Sequence, residues 1–127
     1  MQVKVLGAAK EVGRSAFQIN CDGANFLLDY GVELGREPLY PIEVDPHQIN
    51  AAIITHAHLD HSGNMPALFM KGSTDVYATA PTFDLSRLLI EDMLRLERRT
   101  LPFDMSGLSN MMMHSKEIGY RQKIERG

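Results

Sequence analysis

The chain has 127 residues, of which 44% are hydrophobic and 23% charged, and its formal net charge is −3. This length allows one domain at most, and the apolar content is too high for a disordered chain. The weak negative charge excludes a strongly basic nucleic-acid coat and a polybasic membrane binder, and no apolar run approaches the roughly 20 residues of a bilayer span. A single cysteine, Cys21, excludes an internal disulfide framework and favours a reducing, cytoplasmic location.

The first half of the chain reads as short strands joined by turns. Alternating or apolar sequence predicts three strands: residues 3–6, 15–20 and 25–29. The tetrapeptide CDGA at 21–24 is typical of a hairpin turn, and the Pro- and Gly-containing segment 31–48 is expected to form a loop. The uninterrupted run AAIIT at 51–55 predicts a strand that is buried on both faces.

The second half of the chain has helical patterns around one further strand. Asn64, Pro66 and Gly72 have the spacing of a short helix with its cap, its first turn and its end. Residues 75–78 predict a strand, and a longer amphipathic helix is expected to start near Thr79. Its predicted buried stripe recurs at intervals of three and four: Leu85, Leu88, Leu89, Met93 and Leu96. Residues 100–127 are weakly patterned, and the whole order of elements predicts an α/β sandwich.

Metal-ligand residue types are concentrated in residues 55–63, THAHLDHSG. Three of the five histidines and one carboxylate follow directly after the buried strand, where α/β sheets place their sites. Neutral imidazole and carboxylate are ligands that zinc prefers. His56 and His58, two positions apart, are spaced to hold one ion, with Asp60 and His61 offset toward a second ion. The alternative is that these are ordinary solvent-exposed polar residues of a loop. That alternative does not explain why four ligand-type residues are concentrated directly at the end of a strand.

These residues and three other segments resemble a known family. HAHLDH at 56–61 resembles the HxHxDH motif of the metallo-β-lactamase fold. LGAAKEVGRS at 6–15 resembles the opening of the β-CASP nucleases, the branch that contains the mRNA cleavage-and-polyadenylation endonuclease and archaeal and bacterial RNases. FLLDYG at 26–31 is similar to that branch's first acidic motif, and residues 79–92 are similar to the helix after its third region. The resemblance covers residues 3 to about 100 and implies the N-terminal portion of an αββα sandwich.

The resemblance also implies roles for individual residues. It implies two zinc ions in the complete enzyme, with four ligands: His56 and His58 for one ion, Asp60 and His61 for the other. Asp60 and Asp29 are implied catalytic groups, Asp29 bracing the ligand loop instead of binding metal. The segment Gly13, Arg14 and Ser15 is implied to lie near the metals and to contact substrate phosphate.

Other parts of the family pattern have no match in this sequence. The family requires later metal ligands, namely two histidines and a bridging aspartate, and an inserted β-CASP domain. His114 is the only histidine after His61, and it lacks a glycine-rich context. We therefore expect residues 1–127 to be the N-terminal part of a metallo-β-lactamase domain, without its C-terminal half and its β-CASP domain. Alone, the chain is expected to bind zinc weakly, to be inactive, and to self-associate or fold marginally. His47 and His114 are expected to be surface polar residues.

The leading functional hypothesis is a zinc-dependent RNA-processing nuclease that hydrolyses phosphodiesters with a metal-bound hydroxide. The segment EVGRS at 11–15 favours RNA as the substrate over a small molecule. A small-molecule hydrolase of the same fold, acting on a thioester or lactone, is one alternative, and a non-catalytic assembly subunit or inert fragment is another. The implied partners are RNA and the C-terminal remainder of the enzyme, with a homodimer left open and no membrane partner.

Overall fold

A computed structural model of the protein describes residues 1–7 and 13–124. The strands are β1 (Gln2–Gly7), β2 (Ala16–Cys21), β3 (Ala24–Tyr30), β4 (Glu33–Leu34), β5 (Pro38–Leu39), β6 (Ala51–Ile53), β7 (Asp75–Ala78) and β8 (Ser115–Glu117). The helices are α1 (Leu59–Ser62), α2 (Ala80–Leu96) and α3 (Met105–Met113), with short 3-10 turns at Pro46–Gln48 and Met65–Phe69. Residues 8–12, which carry part of the LGAAKEVGRS resemblance, lie outside the described residues.

Six strands form one mixed sheet in the order β1-β2-β3-β6-β7-β8. The first three strands pair antiparallel, whereas β3, β6, β7 and β8 run parallel. Asp22 and Gly23 join β2 to β3 with φ values of 52° and 84°, as a two-residue hairpin turn of this kind requires. The predicted hairpin and the strand at 75–78 are confirmed. Because β3 and β6 are parallel neighbours, their carboxyl ends meet at the same edge of the sheet.

The hydrophobic core lies between one face of this sheet and the helices. From the strands it includes Leu27, Ala52 and Val76, each fully buried. The helices contribute Phe83, Ile90 and Met93 from α2 and Leu108 and Met111 from α3. The α/β prediction is therefore confirmed. No helix in the described part of the chain is long and apolar enough to cross a membrane.

The predicted buried stripe of α2 is wrong for three of its five members. Leu85, Leu88 and Leu96 are 44%, 54% and 72% exposed. The face that packs on the sheet instead carries Phe83, Ser86, Ile90 and Met93. The helix has two apolar stripes with the same spacing, and periodicity does not tell which of them faces the sheet.

Helical structure also begins earlier than predicted, inside the histidine motif. The predicted helix at 64–72 is a 3-10 turn over Met65–Phe69, and a separate turn, α1, precedes it. Asn64 makes no side-chain capping bond. Its backbone N–H donates to the Tyr30 carbonyl, 2.8 Å away, which ties this segment to the end of β3.

The weakly patterned tail contains two elements that were not predicted. Helix α3 begins after Asp104, whose carboxylate accepts hydrogen bonds from the Ser106 hydroxyl and from the Ser106 and Gly107 N–H groups. These bonds, chiefly that from the Ser106 hydroxyl, lower the pKa of Asp104. Met111 of this helix is fully buried in the core. Strand β8 then joins the sheet beside β7.

Candidate metal centre

A bulge at Asp29 interrupts strand β3 next to the histidine motif. Across the β2–β3 pair, Ala16 pairs with Tyr30 and Phe17 with Leu28, so that Asp29 has no partner between them. Its φ is +61°, in the left-handed region that only a few residue types other than glycine tolerate. Bulges redirect side chains and are frequent beside active sites. Here the extra residue is a carboxylate that is 96% buried (4% exposed).

The Asp29 carboxylate accepts three hydrogen bonds from the motif. Its Oδ1 accepts the Thr55 N–H at 2.7 Å, and its Oδ2 accepts the Thr55 hydroxyl at 2.6 Å. His61 Nδ1 lies 2.9 Å from the same Oδ2. Because an ionised carboxylate accepts and does not donate, this contact favours the neutral tautomer that has its proton on Nδ1 and its lone pair on Nε2. The expected contact between Asp29 and the ligand loop is therefore present, and it orients His61 as metal ligands are usually oriented.

Three of the predicted ligands converge on one point. His56, His58 and Asp60 each offer a ligand atom, and these atoms lie within 4.8 Å of one another. His61 is adjacent: its Nε2 is 3.7 Å from Asp60 Oδ2, and its ring centroid is 5.2 Å from that of His56. Imidazole and carboxylate donors at this spacing fit a divalent first-row metal such as zinc. The division of the four ligands between two ions stays a prediction.

Close backbone packing holds the motif against the end of β3. A Cβ on Gly31 would lie 1.8 Å from the Asp60 carbonyl oxygen, so only glycine fits at this point. The Val32 N–H donates to the Leu59 carbonyl at 2.9 Å, and the Ser15 N–H donates to the Asp60 carbonyl at 2.8 Å. The backbone of α1 is thus fixed from two sides, and Asp60 is positioned with it.

The segment 13–15 lies beside the motif, as expected, but its three residues differ in their contacts. Gly13 lines an open groove together with His58, Asp60 and Glu33. Ser15 reaches the motif through the backbone bond to Asp60. Arg14 Nη1 donates to the Tyr40 carbonyl at 3.0 Å, so its guanidinium contacts the loop that follows β5. The role of the three residues in substrate binding stays a prediction.

Two residues of the site were not singled out from the sequence. Thr55 is part of the motif, but the sequence predicted no role for it. It makes two of the three hydrogen bonds to Asp29. Gly31 was noticed only as part of FLLDYG. The position of Thr55, a hydroxyl residue directly after a buried strand, was the one sequence signal for its part in the site. No sequence signal shows that Gly31 touches Asp60, 29 residues away, because the contact depends on the parallel pairing of β3 and β6.

The other two histidines lie outside the cluster. His47 is exposed, and its backbone N–H and its ring Nδ1 lie 2.9 and 3.0 Å from Asp45 Oδ1. These contacts, the backbone one foremost, lower the pKa of Asp45. His114 packs on the ring of Phe69 and its Nδ1 lies 2.8 Å from the Asn110 carbonyl. Neither histidine belongs to the cluster; His47 is at the surface as predicted, whereas His114 is half-buried against Phe69.

Comparison with known proteins finds ribonucleases and transcription termination factors among the relatives of this chain. Its sequence is 32% identical to an RNase of Saccharolobus solfataricus, matching 97% of this chain and 26% of that protein. It is 38% identical to the transcription termination factor FttA of Methanosarcina mazei, over 96% and 21% of the two chains. It is 34% identical to a ribonuclease of Thermus thermophilus, over 100% and 30%. The chain spans about a quarter of the length of these relatives.

Solved structures share the fold at low sequence identity. A subclass B3 metallo-β-lactamase from a soil metagenome library superposes with a TM-score of 0.56 at 14% identity, covering 98% of this chain and 46% of that one. A protein of unknown function from Enterococcus faecalis gives a TM-score of 0.63 at 18% identity, covering 98% and 35%. The sequence profile of the Metallo-beta-lactamase superfamily matches residues 11–98, a segment that contains Asp29 and the whole ligand cluster. The chain belongs to the metallo-β-lactamase superfamily.

Proposed function

We propose that this chain carries the HxHxDH metal-binding part of a zinc-dependent, RNA-processing nuclease of the β-CASP type. The observation that carries the proposal is the ligand cluster of His56, His58 and Asp60, with His61 oriented by the buried Asp29. Relatives at 32–38% identity that are named RNases or transcription termination factors supply the substrate class. The small-molecule alternative has weaker support, because the likeness to a β-lactamase at 14% identity concerns the fold alone.

Each residue of the cluster has a distinct part in this proposal. His56, His58, Asp60 and His61 hold the divalent ions, which supply Lewis-acid stabilisation of charge during phosphodiester hydrolysis. Asp29 holds His61 in the tautomer whose Nε2 is available for a metal. Gly13 and Ser15 bring the backbone close to Asp60, where an RNA phosphate would approach. For Arg14 to bind that phosphate, its guanidinium would have to leave the Tyr40 carbonyl that it contacts here.

We further propose that the remaining ligands and the β-CASP domain come from residues outside this sequence. A catalytic zinc takes three protein ligands in addition to its open position, and two ions need more donors than one short motif offers. The relatives are about four times as long as the chain that matches them. Residues 1–127 alone are therefore expected to bind metal weakly and to give no appreciable RNA cleavage.

A chimera tests the proposal directly. In it, residues 1–127 replace the matched segment of the T. thermophilus ribonuclease, which aligns with 100% of this chain. We expect the chimera to cleave a 5′-labelled single-stranded RNA when Zn²⁺ is present, and the isolated chain to leave the RNA intact. His58→Ala should abolish cleavage, whereas His47→Ala, at the exposed histidine beside Asp45, should preserve it. A folded chimera that hydrolyses a lactone or thioester and leaves RNA intact would favour the small-molecule alternative.

A further inference from the structure

A cleft on the helix side of the sheet takes no part in the metal site. It lies between the loop at 40–46 and the 3-10 turn Met65–Phe69, and its volume is about 330 Å3. Volumes of about 300–1,000 Å3 are usual for small-molecule sites. Leu68, which lines the cleft, belongs to the same core as α2 and α3, and Tyr40 and Val44 pack on that core. The cleft therefore lies away from the sheet face that the αββα arrangement leaves for a second sheet.

The inner end of the cleft contains a buried amide whose oxygen lacks a hydrogen bond. The lining residues Tyr30, Asn64 and Leu68 are each no more than 3% exposed, so they form this inner end. Asn64 Oδ1 is enclosed and accepts no hydrogen bond from any described residue. A buried polar atom without a partner destabilises a fold and is rare in native proteins. A ligand that donates to Asn64 from within the cleft would supply the missing bond.

The walls of the cleft are apolar and include two aromatic rings whose hydroxyls are already used. Tyr30 donates its hydroxyl to the Ile42 carbonyl at 3.0 Å, and Tyr40 donates its hydroxyl to the Thr100 carbonyl at 3.4 Å. These bonds hold the two rings in place as surfaces for apolar contact. The rest of the wall is built from aliphatic and thioether side chains: Pro41, Val44, Ala67 and Met70. A flat ring system of low polarity fits between such walls.

The mouth of the cleft carries one charge of each sign, because Glu43 and Lys71 both line it and both are exposed. We propose that the cleft binds an adenine nucleotide, with the base against Tyr40 and paired with the Asn64 amide, and the phosphate beside Lys71. An asparagine amide offers one donor and one acceptor, which match adenine N7 and its 6-amino group. The lysine ammonium attracts phosphate, and the Glu43 carboxylate accepts hydrogen bonds from ribose hydroxyls. The inference does not rest on the metal site or on the proposed function.

Calorimetric titration of the purified chain with adenosine 5′-monophosphate tests the proposal. EDTA is present, so that no metal at the histidine motif can bind the phosphate. We expect one site with a dissociation constant on the order of 10–100 µM, the range that ligand efficiency allows for a molecule of this size. Ribose 5-phosphate, which lacks the base, should bind at least ~10-fold more weakly. Adenosine, which lacks the phosphate, should bind about 3–10-fold more weakly.

Three variants assign the binding to the cleft. Asn64→Leu should weaken binding of the monophosphate at least ~10-fold, because the hydrogen bonds to the base are lost. Leucine has the same shape as asparagine and needs no partner, so the urea midpoint of this variant should be no lower than that of the wild type. Lys71→Gln should weaken binding of the monophosphate but leave that of adenosine unchanged. Asn110→Leu is the matched control, because Asn110 is exposed on α3 outside the cleft, and its affinity should equal that of the wild type.

Circular dichroism establishes that each protein is folded before titration. If the isolated chain is not folded, the same titrations in EDTA are made on the chimera with the T. thermophilus ribonuclease. The absence of saturable binding to the folded protein would overturn the proposal, as would an Asn64→Leu variant that binds the monophosphate as tightly as the wild type. Equal affinities for the monophosphate and ribose 5-phosphate would also overturn it, because the site would then recognise the phosphate alone.

Discussion

Replacing Gly31 with alanine is expected to lower the free energy of unfolding by about 3 kcal/mol or more. The new Cβ would lie 1.8 Å from the carbonyl oxygen and 2.2 Å from the carbonyl carbon of Asp60. Both are backbone atoms, so α1 must move away from the end of β3. That movement breaks the bond from the Val32 N–H to the Leu59 carbonyl and displaces Asp60 from the ligand cluster. Urea denaturation followed by circular dichroism measures the change.

Gly35→Ala is the matched control for this substitution. Gly35 is exposed, and the nearest atom to its added Cβ would be Glu33 Oε1 at 3.9 Å, an ordinary contact. Its free energy of unfolding should stay within about 0.5 kcal/mol of the wild type. If the two alanine variants were equally stable, the close approach of Gly31 to Asp60 would not exist in solution.

Replacing Asp29 with asparagine is expected to weaken zinc binding by ~10–100-fold, the usual effect of removing a hydrogen-bond partner from a metal-binding histidine. Asparagine has the same size and tolerates the φ of +61°, so the bulge is preserved. Its oxygen still accepts the Thr55 N–H, but an NH2 group replaces Oδ2, which faces the Thr55 hydroxyl and His61 Nδ1. His61 must then move its proton to Nε2, and that nitrogen no longer has a lone pair for a metal.

A competition titration against a zinc-binding dye measures the effect of Asp29→Asn. Asp45→Asn is the matched control, because Asp45 contacts the ring of His47 in the same way at the surface. Its zinc affinity should equal that of the wild type. Equal affinities for Asp29→Asn and Asp45→Asn would mean that the buried carboxylate does not prepare His61 for a metal.

The parts of the site that are local in sequence could be predicted from the sequence. His56, His58 and Asp60 stand within five residues, so their ligand chemistry and their position after a buried strand predicted the cluster. The contact of Asp29 with the motif joins residues 26 to 32 positions apart. It was expected from the family resemblance alone, since composition and spacing do not show which strands are neighbours.

The misassigned elements have physical causes of their own. Periodicity locates α2 but does not choose between its two apolar stripes, because the choice depends on which stripe fits the sheet. Helix α3 carries a weak apolar pattern, and its start is set by the capping bonds of Asp104. Within the predicted loop at 31–48, the short strands β4 and β5 pair with each other. Strands of two residues are too short to show an alternation of apolar and polar residues in the sequence.

Zinc binding by the histidine motif is the most direct test of the account. The chain is dialysed against Zn²⁺, and the bound metal is quantified for the wild type and two histidine variants, His58→Ala and His47→Ala. We predict saturable binding by the wild type and by His47→Ala, with affinity at least ~10-fold weaker for His58→Ala. Binding that His58→Ala leaves unchanged, or no saturable binding by the folded wild-type chain, would contradict the assignment of His56, His58, Asp60 and His61 as a metal centre.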